Sequence, residues 1–308
     1  MPIDQSISPE RFAPLRVEEK ENNILVRPGI SYWQDVWRRF KENKLAMLGL
    51  FTIIAITLLA IFGPLLSPYS YSQQFMDFQG VGPCRQFWFG TDTLGRDVLV
   101  RVLYGARISL AVGFVASFIN LVVGVIYGGI AGLAGGRVDA VMMRIVDIFY
   151  SIPLVLTVIL LMVLMGPGLK SIFIALGLVY WVDMARIVRA QVLSLKEQDF
   201  IMAARAMGAD TRRILFRHLL PNCMGPIIVT VTMCIPAAIF TEAFLSFIGL
   251  GVSAPAASWG MLTSDAVAGI RSYPHMLFFP AIAIAVTMLA FNFLGDGLRD
   301  ALDPQLRK

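Results

Sequence analysis

The chain has 308 residues, of which 57% are hydrophobic and 15% are charged, and its mean hydropathy is +0.70. Soluble domains usually carry about 45–50% apolar and about 25% charged residues, so the composition excludes an ordinary soluble enzyme, a disordered tail and a disulfide scaffold, while two His and three Cys exclude most dense metal sites. The sequence predicts an all-α membrane protein, and the net charge of +5 fits basic cytoplasmic loops rather than a nucleic-acid partner.

The first 44 residues are predicted to stay outside the hydrocarbon core. Residues 1–30 are polar and lack the apolar core of a signal peptide, which indicates a polar cytoplasmic tail. Residues 31–44 form one apolar, aromatic helical face followed by Lys41 and Lys44, which predicts an amphipathic helix in the membrane interface, with lipid as its partner. The members of that face are Tyr32, Trp33, Val36, Trp37 and Phe40.

Charge-free stretches predict six transmembrane helices, because a helix needs about 20 apolar residues to cross the bilayer. The first is Leu45–Leu66, and residues 67–103 form the extracytoplasmic loop after it. Residues 104–298 hold the five-helix core, and residues 299–308 form a cytoplasmic tail. The charge-free stretches of the second to sixth spans are 108–136, 148–169, 171–182, 218–241 and 272–295, the fourth being the shortest.

The uncharged segment Ala243–Ser264 could be mistaken for a seventh span. It contains Gly249, Gly251, Pro255 and Gly260 together with several Ser, a composition that favours a loop or a shielded re-entrant piece.

The distribution of basic residues predicts the orientation. With six spans both termini lie on one side, and that side carries 20 of the 26 Lys and Arg residues. Basic loops stay in the cytoplasm, so we expect both termini to be cytoplasmic.

The long link between the fourth and fifth spans, about 196–222, has the composition of an ordered structure. A helix over 198–207 is rich in Ala and Met, and Gly208 is placed to end it in a left-handed cap. Asp210 is predicted to cap a second helix over 211–219, which Pro221 ends.

This link is predicted to offer a surface to another protein. Ala203, Ala204 and Gly208 leave a smooth face, and four arginines surround it with positive charge. They are Arg205, Arg212, Arg213 and Arg217. From the residues alone, a positive-inside loop that happens to be helical stays an equal alternative.

The pattern Ala203-Ala204, three residues, Gly208, nine residues, then 218–221 resembles the EAA loop of ATP-binding-cassette (ABC) importer permeases. Met202 stands where that pattern has Glu, and His218 where it has Ile. The resemblance implies that this loop is the coupling helix that docks into a groove of a cytoplasmic ATPase. The residues it assigns to coupling are Ala203, Ala204, Arg205, Met207, Gly208, Ala209, Asp210, Leu220 and Pro221.

The resemblance covers about residues 31–308 and is closest to the C-type permease subunit of oligopeptide and dipeptide importers. The matching segments are 89–97, 104–109, 135–144, 244–251, 258–260, 291–292 and 295–304. It implies a type I ABC importer permease fold in a bacterial inner membrane. It also implies a second, different permease subunit, two ABC ATPase subunits, an extracytoplasmic peptide-binding protein and a peptide substrate, although nickel importers share the branch.

No energy-converting site is predicted on this chain. No Gly precedes any of its six Lys, so the phosphate-binding pattern GxxxxGK[ST] is absent from the sequence. ATP and Mg are therefore expected on the partner ATPases, with no cofactor, catalytic residue or metal held by this chain.

Four polar residues near the spans are candidates for the translocation path or gate: Glu242, Arg107, Asp183 and Asn292. Glu242 could face cargo, bind a partner on a neighbouring helix, with Arg107 as one candidate, or lie exposed in an outer aqueous cavity. Asp183 lies one helical turn from Arg186, which favours a structural pair, and Asn292 could hydrogen-bond a neighbouring helix.

The loop after the first span offers a second candidate site, either a docking element for the binding protein or an outer gate. Its residues are Thr91, Asp92, Gly95, Arg96 and Asp97. An equal alternative is a pair of turns in which Asp92 caps and Gly95 turns the chain.

Three other classes of protein compete with an ATP-driven permease, of which a passive channel is disfavoured because it would have no use for the structured link over 196–222. An ion-coupled secondary transporter predicts internal repeats, and none is convincing here. A membrane-embedded enzyme is disfavoured because His218 and His275 belong to opposite sides and no HExxH pattern occurs.

Overall fold

In the computed structural model, residues 31–166, 168–251 and 256–303 are described. The predicted tail over 1–30, Pro255 and residues 304–308 lie outside them. The described residues are helical, apart from turns and an isolated bridge between Thr91 and Asp97. The predicted all-α fold is confirmed.

Among the described residues, five continuous helical segments are long and apolar enough to cross a bilayer, and a bent pair of helices supplies the sixth span. The continuous spans are α2 (Lys44–Leu66), α3 (Val98–Ile119) joined through a π-helical turn (Asn120–Gly124) to α4 (Val125–Ala134), α7 (Leu169–Leu195), α11 (Met224–Phe247) and α13 (His275–Leu302). We refer to the two sides of this bundle as the 67–97 face and the 196–222 face, after the chain segments that cover them.

The second span begins earlier than predicted. Helix α3 starts at Val98 because the Asp97 carboxylate accepts a hydrogen bond from the backbone N–H of Val100. The predicted loop 67–103 therefore ends at Asp97. Helices α3 and α4 with the turn between them form one segment of 37 residues, about 55 Å long. Because this segment is longer than the hydrocarbon core, its first turns, which carry charged residues, can lie outside the core.

The third span is a bent pair of helices, so the prediction of one span over 148–169 was wrong in its geometry. Helices α5 (Gly136–Ser151) and α6 (Leu154–Met165) meet at 82°. Pro153 follows an extended Ile152 at the break, because a residue before proline is driven out of the helical region. Helix α6 alone is about 18 Å long and is too short to cross the core.

The Gly-rich segment 243–264 is partly helical. Helix α11 continues to Phe247, and a short helix α12 (Trp259–Val267) follows, capped by the Ser258 hydroxyl. Trp259 is buried and donates its indole N–H to the carbonyl of Val102 on α3. Helix α12 is therefore packed on the bundle and does not span it.

Glycines let α4 approach α7 closely. A Cβ at Gly128 would lie 2.3 Å from the carbonyl oxygen of Ala185, and one at Gly132 would lie 2.9 Å from that of Arg189. Gly124 likewise lies against Met184 of α7. The three glycines are spaced four residues apart and form a small-xxx-small stripe of the kind that joins membrane helices.

The N-terminal amphipathic helix α1 (Tyr32–Glu42) divides its apolar face between protein and surroundings. Val36 and Phe40 are buried in a cluster with residues of α13. Trp33 and Trp37 are 53% and 48% exposed. The predicted face thus packs in part on the last span, and its two tryptophans are left for lipid.

Candidate functional site

The segment between α7 and α11 folds as two short helices joined by a tight turn. Helix α8 (Asp199–Ala206) ends before Gly208, which has φ +83°. The Asp210 carboxylate accepts a hydrogen bond of 3.1 Å from the N–H of Arg213 and caps the next helix. The predicted left-handed cap and N-cap are both confirmed.

The second helix continues further than predicted. It comprises α9 (Thr211–Arg213), a π-helical turn (Ile214–Leu219) and α10 (Leu220–Asn222). The prediction that Pro221 ends the helix was wrong. Pro221 lies in the first turn of α10, where the missing N–H costs nothing, and only Cys223 separates α10 from α11.

Helix α8 turns a different face outward than predicted. Ala204 is 2% exposed and Ile201 is fully buried, since residues three apart share a face. Ala203, Arg205 and Met207 are exposed, Met207 to 83%. Ala204 is therefore part of the packing beneath the helix.

A buried apolar cluster fixes the segment to the bundle. It includes Met184 and Val188 of α7, Ile201 of α8, Leu219 of the π-helical turn and Ile227 of α11, all 2% exposed or less. On its other side the segment meets α4, because a Cβ at Gly129 would lie 3.1 Å from Leu215. A displacement of α8 would therefore be transmitted to the spans that flank it.

Four apolar and four basic side chains project from this segment, and we name them the 196–222 surface. Its members are Phe200, Met202, Met207 and Phe216, each at least 41% exposed, and the exposed Arg205, Arg212, Arg213 and Arg217. None of the four guanidinium groups pairs with a carboxylate within the part of the chain that the structure describes. An apolar patch ringed by unpaired charge is typical of a protein-binding surface.

The candidate residues of the loop over 67–97 make their contacts within the loop and with the first turns of α3 and α13. The Asp92 carboxylate, 3% exposed, accepts hydrogen bonds of 2.9 Å from the backbone N–H groups of Leu94 and Arg96. It also pairs with the guanidinium groups of Arg96 and Arg101. Gly95 has φ +71°, and a Cβ there would lie 2.0 Å from a backbone oxygen of Phe75.

Two further loop residues are also committed to internal contacts. Thr91 donates its hydroxyl to the carbonyl of Phe78 and accepts from the N–H of Val81. Burial raises the pKa of Asp97, although its bonds to the backbone of α3 oppose that rise. These contacts match the turn interpretation, and Thr93 and Leu94 are the exposed residues of this stretch.

Glu242 is fully buried where α11 meets α3 and α12. Its carboxylate accepts hydrogen bonds from Ser246 at 2.7 Å and from Ser109 at 3.3 Å. The predicted exposure to an outer cavity is wrong. The predicted partner on a neighbouring helix is confirmed, but it is Ser109 of α3 and not Arg107.

Arg107 instead binds the first span. Its Nε donates to the carbonyl of Ala60 at 2.5 Å, and its Nη2 donates to that of Ile61 at 2.6 Å. Pro64 has no N–H to give the carbonyl four residues before it, so Arg107 satisfies the oxygen that this proline leaves without a helix partner.

The other two intramembrane candidates are exposed. Asp183 does not pair with Arg186, whose guanidinium binds Asp147 at 2.9 Å across helices α7 and α5. Asn292 makes no side-chain hydrogen bond to the described residues, contrary to expectation, and lies exposed on α13.

One structural pair was missed by the sequence reasoning. Arg189 of α7 binds Asp139 of α5 through two hydrogen bonds of 2.5 and 2.6 Å, and Lys196 donates to the carbonyl of Gly132. These contacts tie the end of α4 and the start of α5 to the end of α7. No signal in the sequence could have paired groups 50 residues apart.

No group of three His, Cys, Asp or Glu side chains able to hold a metal occurs among the described residues. The six spans and the structured link at one face define a membrane-spanning permease. The chain belongs to the family described as the binding-protein-dependent transport system inner membrane component, whose model matches residues 124–308. A model of the N-terminal TM domain of oligopeptide transport permease C matches residues 31–83.

Similar proteins are permease subunits. The dipeptide transport system permease protein DppC of Bacillus subtilis is 53% identical over 97% of this chain and 94% of that protein. The oligopeptide transport system permease protein OppC of the same organism is 50% identical over 99% and 100%. OppC of Escherichia coli K12 is 46% identical over 91% and 93%.

A solved structure has the same fold. A chain of the MetNI methionine ABC transporter, in inward-facing conformations, aligns with TM-score 0.56 and 22% identity over 66% of this chain and 96% of that one. The expected type I ABC importer permease fold is confirmed, and the chain is a transporter subunit rather than an enzyme.

Proposed function

We propose that this chain is one of two different permease subunits of an ATP-driven peptide importer, and that its 196–222 surface docks on a cytoplasmic ATPase. In this assembly an extracytoplasmic binding protein delivers the peptide. Both termini and the 196–222 face are cytoplasmic. ATP and Mg act on two ATPase subunits.

The single observation that carries the docking proposal is the 196–222 surface itself. Four exposed apolar side chains lie among four arginines that have no carboxylate partner in the described chain. A loop that is only solvated does not need to be held in a fixed position, yet a buried apolar cluster fixes this segment to α7 and α11. An acidic groove lined with apolar groups on a partner would complement it.

The geometry suggests how the ATPase state reaches the membrane. Movement of α8 would act through Ile201 and the buried cluster on α7 and α11. Access to the cavity between the two permeases would then switch from one side of the membrane to the other. Such a switch requires that the ATPase bind the two states with different free energies.

Affinity purification in mild detergent tests the proposed partners. The tagged chain should recover a second permease and at least one ATPase from its native membrane, and uptake of a labelled dipeptide should stop when ATP is depleted. Recovery of the chain alone, with uptake that survives ATP depletion and is abolished by a protonophore, would replace this proposal with a secondary transporter.

A matched pair of glycine variants tests the docking surface. Gly208 and Gly249 are both exposed, have φ of +83° and +87°, and have no atom within 4 Å of an added Cβ. Proline fixes φ near −65° and distorts either turn equally. Gly208→Pro should abolish uptake and ATPase recovery, whereas Gly249→Pro at the other end of α11 should retain ATPase binding. Equal ATPase recovery in both variants would refute the docking role.

A further inference from the structure

An apolar cleft of about 940 Å³ lies between α2, α3 and α13, on the side of the bundle where the 67–97 loop begins. Its volume lies in the range of protein sites that bind small molecules. Its apolar lining from the three helices includes Ile56, Leu59, Leu103, Ile282 and Val286, with Gly63, Ala106 and Ala283 leaving the space between them.

The cleft lies at the depth of one lipid leaflet. Gly63 and Leu66 belong to the last turns of α2, a helix long enough to cross the bilayer, and they line the cleft. Leu59 and Leu66, which line the cleft, are 55% and 84% exposed, so its apolar lining reaches the outer surface of α2. Its walls are therefore continuous with the lipid-facing surface.

The rim of the cleft is polar and aromatic. Trp88, 70% exposed, and Tyr69 border it, as aromatic side chains do at the level of lipid headgroups. Arg85 also borders it, is exposed, and makes no ion pair within the described residues. The carboxylate of Asp97, at the cleft's inner edge, is already bound to the backbone of α3.

We propose that this cleft binds one acyl chain of an anionic glycerophospholipid from the adjacent leaflet, with the lipid phosphate on Arg85. The occupant follows from charge and shape, since the exposed Arg85 borders an otherwise apolar cleft in which the other charged lining residue, Asp97, is already bound to the backbone of α3. Basic pockets between transmembrane helices select anionic headgroups in this way. The bound lipid fills the gap between the first span and the core, which α2 closes only in part.

Native mass spectrometry of the purified importer complex tests the proposal. The complex is released from nanodiscs that contain equal amounts of phosphatidylglycerol and phosphatidylcholine. One basic residue near the surface contributes about 1 kcal/mol to anionic lipid binding, which corresponds to about a fivefold preference. The unmodified complex should retain phosphatidylglycerol over phosphatidylcholine by about that factor.

Two pairs of variants distinguish binding of the lipid headgroup from binding of the acyl chain. Arg85→Ala should remove the preference, whereas Arg271→Ala, another exposed arginine beyond the cleft, should keep it. Val286→Trp fills the cleft and should lower retention of both lipids, whereas Leu289→Trp, one turn further along α13 and outside the cleft lining, should not. An unchanged lipid ratio in Arg85→Ala, or equal lipid retention by the two tryptophan variants, would overturn the proposal.

Discussion

Two segments of this chain carry the charged residues that the sequence marks as functional, and they use their charges in opposite ways. In the 67–97 loop, Asp92 is buried and binds two guanidinium groups and two backbone N–H groups. On the 196–222 surface, four arginines are exposed and make no ion pair within the described residues.

The difference shows which segment is complete by itself. A buried carboxylate with all its partners in its own chain stabilises a local structure. Exposed arginines without ion-pair partners, on a segment that a buried apolar cluster holds in place, can bind another molecule. The loop should therefore respond to mutation through stability, and the 196–222 surface through assembly.

The largest effect is expected from Asp92→Ala. The substitution leaves the 4% exposed Arg101 without its closest carboxylate, and loss of one partner of a buried pair costs about 3–5 kcal/mol. Thermal denaturation of the purified complex, followed by size-exclusion chromatography, should show a large loss of stability. Asp77→Ala, at an exposed position of the same loop, is the control and should behave like the unmodified chain. Equal stability of both variants would contradict a self-contained loop.

Neighbouring alanines of α8 should differ in stability. Ala204→Leu forces three carbons into a buried position on the inner face of α8 and should cost about 1–3 kcal/mol, whereas Ala203→Leu adds them on the exposed side. The same denaturation assay compares the two. If Ala203→Leu proves the more destabilising, the assignment of the inner face of α8 is wrong.

A charge reversal at Arg205 should weaken assembly without changing the fold. Arg205→Glu places an acid where the proposed partner is acidic, and we expect about tenfold weaker ATPase binding, equivalent to about 1.4 kcal/mol. Its thermal stability should stay within about 0.5 kcal/mol because the site is exposed. Titration with the purified ATPase measures the affinity, and Arg271→Glu on the other face serves as the control. Unchanged affinity for Arg205→Glu would place the partner elsewhere.

Chemical labelling of a cysteine, the smallest perturbation, tests whether the 67–97 face lies outside the cytoplasm. Cys84 is exposed on the 67–97 face, whereas Cys223 and Cys234 are buried. Burial raises the pKa of Cys223 to about 11, so near pH 8 its thiol stays protonated and unreactive. A membrane-impermeant maleimide should label intact spheroplasts at Cys84, and Cys84→Ala should abolish the signal. Labelling that needs broken membranes would reverse the proposed orientation.

Much of this fold could be predicted from patterns that act locally. Charge-free stretches located the spans, and Gly208 and Asp210 marked the turn and cap of the 196–222 segment, because backbone conformation at these positions depends on near neighbours. The use of charge-free stretches placed the start of α3 too late. It treats Arg101 and Arg107 as loop residues, although both lie in the helix.

The remaining differences come from contacts between distant elements. The inward side of α8 is set by the cluster around Ile201 and Met184, which sequence spacing alone could not orient. Likewise Arg107 binds α2 because Pro64 leaves a carbonyl there without a helix partner, and the sequence gives no hint of which helix would supply the donor.

Photo-crosslinking in native membranes tests the central claim most directly. A photoreactive residue replaces Met207, 83% exposed on the 196–222 surface, or Leu94, an exposed residue of the 67–97 loop. The account predicts a crosslink to the ATPase from position 207 and none from position 94. An ATPase crosslink from position 94, or none from 207 in a complex that still contains the ATPase, would contradict it.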